Sequence, residues 1–279
     1  MMEFLTSLGK TVLLRPYVFV PLTLALAISV SLMGRTRTTI FFLITWMVAF
    51  TCEFSSTRTG IPFGWYFYND STRGQELYLS NVPFMDSLSF AFLLFGSYCL
   101  SLLLLSPSRR QGSQIYIAST ALQMSWSVLT LSVLFFVLVD VIIDPVALRG
   151  DRWFLGKIYY YPEAGAHFGV PIANYLGWTL VGLLALGLFR LLERRLGAPP
   201  PDANKAGPLL LGAVLYFGVV IFNLTMSFWI GEPLIGWTGL MLYLPVSGLL
   251  WLKLGRTGAL GDIITPQRPL SSRITPKNP

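Results

Sequence analysis

Long apolar runs, interrupted by short clusters of charge, set the pattern of this chain. About 20 apolar residues are needed to cross roughly 30 Å of hydrocarbon, and several uncharged intervals meet that length. Nineteen uncharged residues separate Arg15 from Arg35, which predicts a first span near 17–33. Only fifteen separate Arg37 from Glu53, so either the second helix (Thr38–Phe54) is short or Glu53 lies inside the membrane. Further spans are expected near 84–105, 117–140, 168–189, 208–230 and 234–252. The fold class that follows is all-α: a polytopic membrane protein of about seven transmembrane helices. The first run has a basic flank like that of a signal sequence. It is long for such a segment, however, and Gly34-Arg35 offers no small-x-small exit, so an uncleaved helix is expected.

Composition agrees with that reading and narrows it. Of 279 residues, 54% are hydrophobic and 12% charged, against about 25% charged in an ordinary soluble domain. Mean hydropathy is +0.63. A disordered chain is excluded, and a water-soluble globule is strongly disfavoured. Residues 1–255 are expected to form a single transmembrane helical domain and 256–279 a polar, Pro-rich cytoplasmic tail, with Ala198-Pro199-Pro200-Pro201-Asp202 as a stiff connector. No internal repeat or Gly-rich phosphate loop is visible. Thirteen Lys and Arg residues fall in the loops on one side and seven on the N-terminal side. The basic side should be cytoplasmic, which puts the N-terminus outside a cell (inner) membrane. The +7 net charge is then topogenic, and no soluble basic domain exists to bind nucleic acid.

The acids are distributed less evenly than the bases. Ten lie on the N-terminal side and three on the other. Loop filling accounts for Asp70, Glu76, Asp151 and Glu163. It does not account for Glu53, Asp86, Asp140 and Asp144, which alternating helix directions bring to one membrane depth. Asp140 and Asp144 are spaced i,i+4 and share a helix face if the helix persists to Pro145. Two carboxyls brought together in a low dielectric are expected to retain a proton between them. The competing reading is that these acids cap helices or pair with Arg58, Arg149 or Arg152. His167, Asn174 and Asn223 fall at the same depth, although a lone His at a helix start is commonly a cap and an Asn in an apolar helix commonly bonds another helix.

Two connecting segments are rich in aromatic residues, Gly and Pro. One contains Gly60-Ile61-Pro62-Phe63-Gly64-Trp65-Tyr66-Phe67-Tyr68. The other contains Tyr159-Tyr160-Tyr161-Pro162, followed by Phe168-Gly169-Val170-Pro171 and Gly177-Trp178. An interfacial aromatic belt explains part of this. The Gly and Pro spacing suggests re-entrant or surface-lying lids over the acidic face. One histidine and two cysteines cannot readily supply the ligands of a catalytic zinc or iron site, so no metal and no cofactor is expected. Carboxylic acids can protonate an alkene and aromatic faces can stabilise the cation formed; this allows prenyl-lipid chemistry without selecting it.

Four blocks select it by resemblance. Glu53 to Tyr68, Asn81-Val82-Pro83-Phe84-Met85-Asp86-Ser87-Leu88-Ser89-Phe90, Asp140-Val141-Ile142-Ile143-Asp144-Pro145-Val146-Ala147 and Phe168 to Trp178 resemble, in order, the membrane carotenoid-biosynthesis family that includes the CruF-type carotenoid hydratases. The resemblance covers roughly residues 40–235. It implies a hydratase that adds water across the terminal double bond of an acyclic carotenoid end, such as lycopene, γ-carotene or a bacterioruberin precursor, without a redox cofactor. On that reading Asp140 or Asp144, then Glu53, is the candidate proton donor and Asp86 the candidate for orienting water. Trp65, Tyr66, Tyr68 and Trp178 are candidate cavity walls, with His167, Asn174 and Asn223 as further substrate-side candidates. A carotenoid end-group cyclase begins with the same protonation. A carotenoid- or lipid-binding scaffold and a transporter are the non-enzymatic alternatives. A retinal photoreceptor is disfavoured because Lys253 sits at the end of the last span rather than within it.

Overall fold

A computed structural model describes residues 2–111, 114–117, 125–196 and 206–256. The expected connector at 198–202 and nearly all of the expected tail lie outside the described residues. The helices are α1 (Met2–Leu14), α2 (Pro16–Thr59), α3 (Phe84–Leu105), α4 (Trp126–Ala147), α5 (Ile172–Glu193), α6 (Ala206–Trp229) and α7 (Pro233–Arg256). Six of them, α2 to α7, are long and apolar enough to cross a membrane.

Helix α2 accounts for two crossings. Its 44 residues would extend about 66 Å as one rod, twice the hydrocarbon thickness. The helix breaks at Gly34, where φ is 81° and ψ is 166°, a conformation open to glycine and costly for other residues. The hydroxyls of Ser29 and Thr38, nine residues apart, meet at 2.9 Å. In a continuous helix they would be about 13 Å apart along the axis. The two arms therefore form a hairpin, and the described residues hold seven helical runs of membrane-crossing length, as the charge spacing suggests.

The observed boundaries follow local chemistry. The second arm runs past the expected end at Phe54 to Thr59, where Thr57 and Thr59 turn their hydroxyls back onto the carbonyls of Glu53 and Ser55. Gly60 then closes the helix at φ 74°, its N–H bonded to Ser56 O at 2.9 Å, a left-handed cap. Glu53 thus lies more than a turn inside the helix rather than at its end. Helix α4 begins at Trp126 rather than near 117; Gln114–Ile117 is strand β5, paired antiparallel with β4 (Ser108–Gln111). Helix α4 continues through Pro145 to Ala147, which keeps Asp140 and Asp144 on one face. Pro145 has no N–H for the Val141 carbonyl; His167 Nε2 occupies that acceptor instead, at 3.1 Å.

Helix α3 is central. In its most apolar stretch 78% of residues are buried, against 28% in α2 and α7. It packs against α2, α4 and α6. Without a hydrophobic driving force between helices in lipid, close backbone approach has to supply the packing. A Cβ on Gly212 of α6 would run into Cys99 of α3, and one on Gly96 would come within 3.2 Å of Tyr216.

Two lids, residues 60–83 and 148–171, cover the end of the bundle where Glu53, Asp86 and Asp144 sit. They are joined to each other by strands β1 (Phe67–Tyr68) and β6 (Tyr159–Tyr160), which pair antiparallel. Within the first lid, β2 (Tyr78–Leu79) pairs with β3 (Val82–Pro83). The first lid seats on α5 because Gly177 leaves room for the Phe63 ring, which a Cβ there would strike. Helix α1, a segment without a clear sequence expectation, is tied to the same lid through Leu77 N–H to Thr11 Oγ1, 2.7 Å.

Candidate active site

Strand alternation decides which lid aromatics face inward. Successive strand residues point to opposite faces, so Tyr66 and Tyr68 turn toward the bundle while Trp65 and Phe67 turn away. Opposite them, Tyr159 and Tyr161 face in and Tyr160 faces out. The outward trio is exposed, Trp65 by 50%, and Trp65 stacks on Phe67. The inward rings form an edge-to-face cluster, with the Tyr66 ring centroid 5.3 Å from that of Tyr68 and 6.0 Å from that of Tyr159.

These phenols hold the carboxyls. Tyr159 donates to Asp144 Oδ1 at 2.7 Å and Tyr161 to Asp144 Oδ2 at 3.3 Å. Asn174 donates to Asp144 Oδ2 at 2.6 Å and to Asp140 Oδ2 at 2.8 Å, bridging the pair. Tyr68 donates to Glu53 Oε1 at 3.0 Å, and Ser87 donates to Glu53 Oε2. Burial first, and the neighbouring carboxyls second, push the Tyr66, Tyr68, Tyr159 and Tyr161 phenols well above their ordinary range. They therefore stay protonated and act as donors.

A cavity of about 710 Å³ opens beneath the lids. Glu53, Asp86 and Asp144 line its polar end together with Tyr66, Tyr68, Tyr159, Tyr161, Asn174 and Asn223. Trp178 forms part of the wall, stacked on Phe90 with centroids 4.2 Å apart. The remaining wall is almost entirely apolar. Asp140 is fully buried behind Asp144, and its Oδ1 has no hydrogen-bond partner among the described residues.

Most of the sequence-derived candidates therefore converge on one chamber; Asp140 sits just behind its wall, and Trp65 and His167 lie outside it. Trp65 faces away, and His167 serves the Val141 carbonyl freed by Pro145. The arginines considered as partners for the acids are engaged elsewhere. Arg58 donates to Phe54 O and Ser80, while Arg149 and Arg152 both pair with Glu232 at 2.8 and 2.7 Å. Tyr159, Tyr161 and Ser87 are the side chains residue-type reasoning missed. Period-two alternation in Trp65-Tyr66-Phe67-Tyr68 and Tyr159-Tyr160-Tyr161 carried the signal for the tyrosines. Among the described residues, no group of three or more His, Cys, Asp or Glu side chains is arranged to hold a metal ion.

Comparison with known proteins identifies a family but no solved relative. No solved structure matches the chain. Over 211 residues it is 30% identical to a protein named bisanhydrobacterioruberin hydratase from Haloarcula japonica, an alignment covering 74% of this chain and 60% of that relative. The family model described as carotenoid biosynthesis protein matches residues 13–245, the span that holds every helix lining the chamber. The chain belongs to this family of carotenoid-biosynthesis membrane proteins.

Proposed function

We propose that this chain is a carotenoid hydratase, adding water across the terminal C1=C2 bond of an acyclic carotenoid end. The observation that carries the reading is the cavity itself, an apolar, aromatic-walled chamber lined by the three carboxyls Glu53, Asp86 and Asp144. The name of the Haloarcula relative points the same way.

In this mechanism the protonated carboxyl of Asp144 gives its proton to C2. Asp140 lies behind it on the Asn174 bridge, and two carboxyls so close, with no cation bonded to either among the described residues, share a proton readily. The cation forms at C1, where it is tertiary, and Tyr66 and Trp178 present π faces to it. Water held by Asp86 and Glu53 attacks C1 and releases its proton to one of those carboxylates. One water is consumed: the proton given to C2 is balanced by the one that the attacking water releases to Glu53 or Asp86, and passing that proton back to Asp144 resets the site without any other co-reactant. Tyr68, bonded to Glu53 and 3.3 Å from the Tyr66 hydroxyl, stands where a returning proton passes. The carboxyls and phenol hydroxyls provide places for water, which favours alcohol formation over ring closure.

Expression in a lycopene-producing host, with mass analysis of the pigments, tests this directly. A product heavier by one water is expected. An isomeric product would assign a cyclase instead, and unchanged lycopene would defeat the enzymatic reading for that substrate. Asp144→Asn keeps shape but removes the acid, and turnover per folded protein should fall by about 10²–10⁴-fold. Asp140→Asn, Glu53→Gln and Asp86→Asn complete the set, with thermal stability followed in parallel. Near-normal turnover in all four would remove the site.

A further inference from the structure

The chamber is sealed at its polar end and open along one side. Val20 and Leu24 of the first α2 arm line it, as do Val214, Gly218 and Phe222 of α6. Those same apolar side chains are exposed, Val214 by 66% and Val20 by 58%. A residue that both lines a cavity and faces outward stands at its mouth. Both helices are membrane-crossing, so this mouth faces hydrocarbon rather than water. From Val214 to Phe222 is about 12 Å along the helix, close to half the hydrocarbon thickness. At its centre Gly218 is exposed, and a Cβ added there meets nothing within 4 Å. The side chain is missing where the slot would otherwise be filled.

We infer that the slot between the first arm of α2 and α6, centred on Gly218, is a lateral doorway through which one end of a linear polyene enters from the bilayer. The rest of the polyene stays in lipid, because the joined lids close the far end of the chamber. What happens to the inserted end rests on the hydratase reading; entry does not. A symmetric polyene can present only one end at a time, and the singly modified molecule must leave by the slot before its other end enters.

The test uses the purified full chain in lipid vesicles with lycopene as probe. An achiral polyene held in a chiral site gains a circular-dichroism signal, which reports binding whether or not hydration follows. Gly218→Trp should plug the slot and reduce that signal by at least about tenfold. Gly187→Trp, on α5 where an added Cβ likewise meets nothing within 4 Å and outside the chamber lining, should leave it unchanged. Val214→Trp at the same mouth repeats the test if Gly218→Trp fails to fold. Wild-type signal in the plugged variants overturns the doorway, as does an equal loss in Gly187→Trp or a wild-type protein that gives no signal at all. A wild-type protein that binds lycopene but forms no hydrated product defeats the hydratase reading alone. In that case the plugged variants still decide the doorway.

Discussion

At the scale of single residues, the tyrosines around Asp144 carry the sharpest expectation. Tyr159 donates at 2.7 Å and Tyr161 at 3.3 Å, so the first bond should matter more. A hydrogen bond to a charged group is worth about 1.5–3 kcal/mol, and each 1.36 kcal/mol is about tenfold in rate. If Asp144 is left as a carboxylate after giving its proton, Tyr159→Phe should slow turnover by roughly 10- to 150-fold and Tyr161→Phe by less. Tyr160→Phe, on the outward face of the same strand, should change neither turnover nor stability. Specific activity per folded protein separates these outcomes; equal losses in Tyr159→Phe and Tyr160→Phe would contradict the alternation. The pH profile adds a second check. Because the folded phenol values are raised above the ordinary 10.0, the donors persist as pH rises through 10, so no alkaline loss of activity should come from them. Residue identity alone was a poor guide here. Trp65 and His167 stood out as an aromatic and a lone histidine, yet one faces outward and the other serves a carbonyl left free by a proline. Both placements depend on backbone geometry that composition does not contain.

Among the elements, the crossings were legible because charge brackets each apolar run, and 20-odd residues of hydrocarbon length leave little freedom. The turn at Gly34 was legible as the gap between two spans. The ladder between the lids was not, since two-residue strands β1 and β6 lie 90 residues apart and neither has an apolar period long enough to announce itself. Nor was the brace beneath them. Arg15, at the α1–α2 junction, makes two bonds to Glu76 at 2.7 and 3.1 Å and further bonds to the Tyr17 hydroxyl and Leu155 O. Both ion-pair side chains are almost wholly buried. Glu76 reads from sequence as an ordinary loop acid, because nothing local indicates that Arg15, 61 residues earlier, will meet it. Removing one member of a buried pair strands the other and costs about 3–5 kcal/mol. Glu76→Gln should therefore lower thermal stability sharply and reduce activity in proportion to folded protein lost. The double variant Arg15→Met/Glu76→Leu should recover a large part of the loss; a loss equal to the sum of the single variants would mean the two residues do not act as a pair.

For the whole molecule, seven crossings place the two ends of the helical bundle on opposite faces of the membrane, with the acids and both lids at one of them. The thirteen-to-seven distribution of basic residues argues that this acid-bearing end is external. The consequence is chemical as well as topological, since water for the chamber would then come from outside the cell while the polyene comes from the bilayer. Reporter fusions after Leu196 and after Leu260 should both read cytoplasmic. An independent measurement uses the lids. Cys52 and Cys99 are buried and should stay silent toward a membrane-impermeant maleimide. A cysteine in place of Glu163, an exposed residue of the second lid, should react with the reagent in intact cells. Labelling that appears only after the membrane is opened, together with fusions that read external, would invert the molecule. The carboxyl chamber would keep its geometry in either case, but its water would then be drawn from the cytoplasm, and the basic residues would have to be explained by something other than topology.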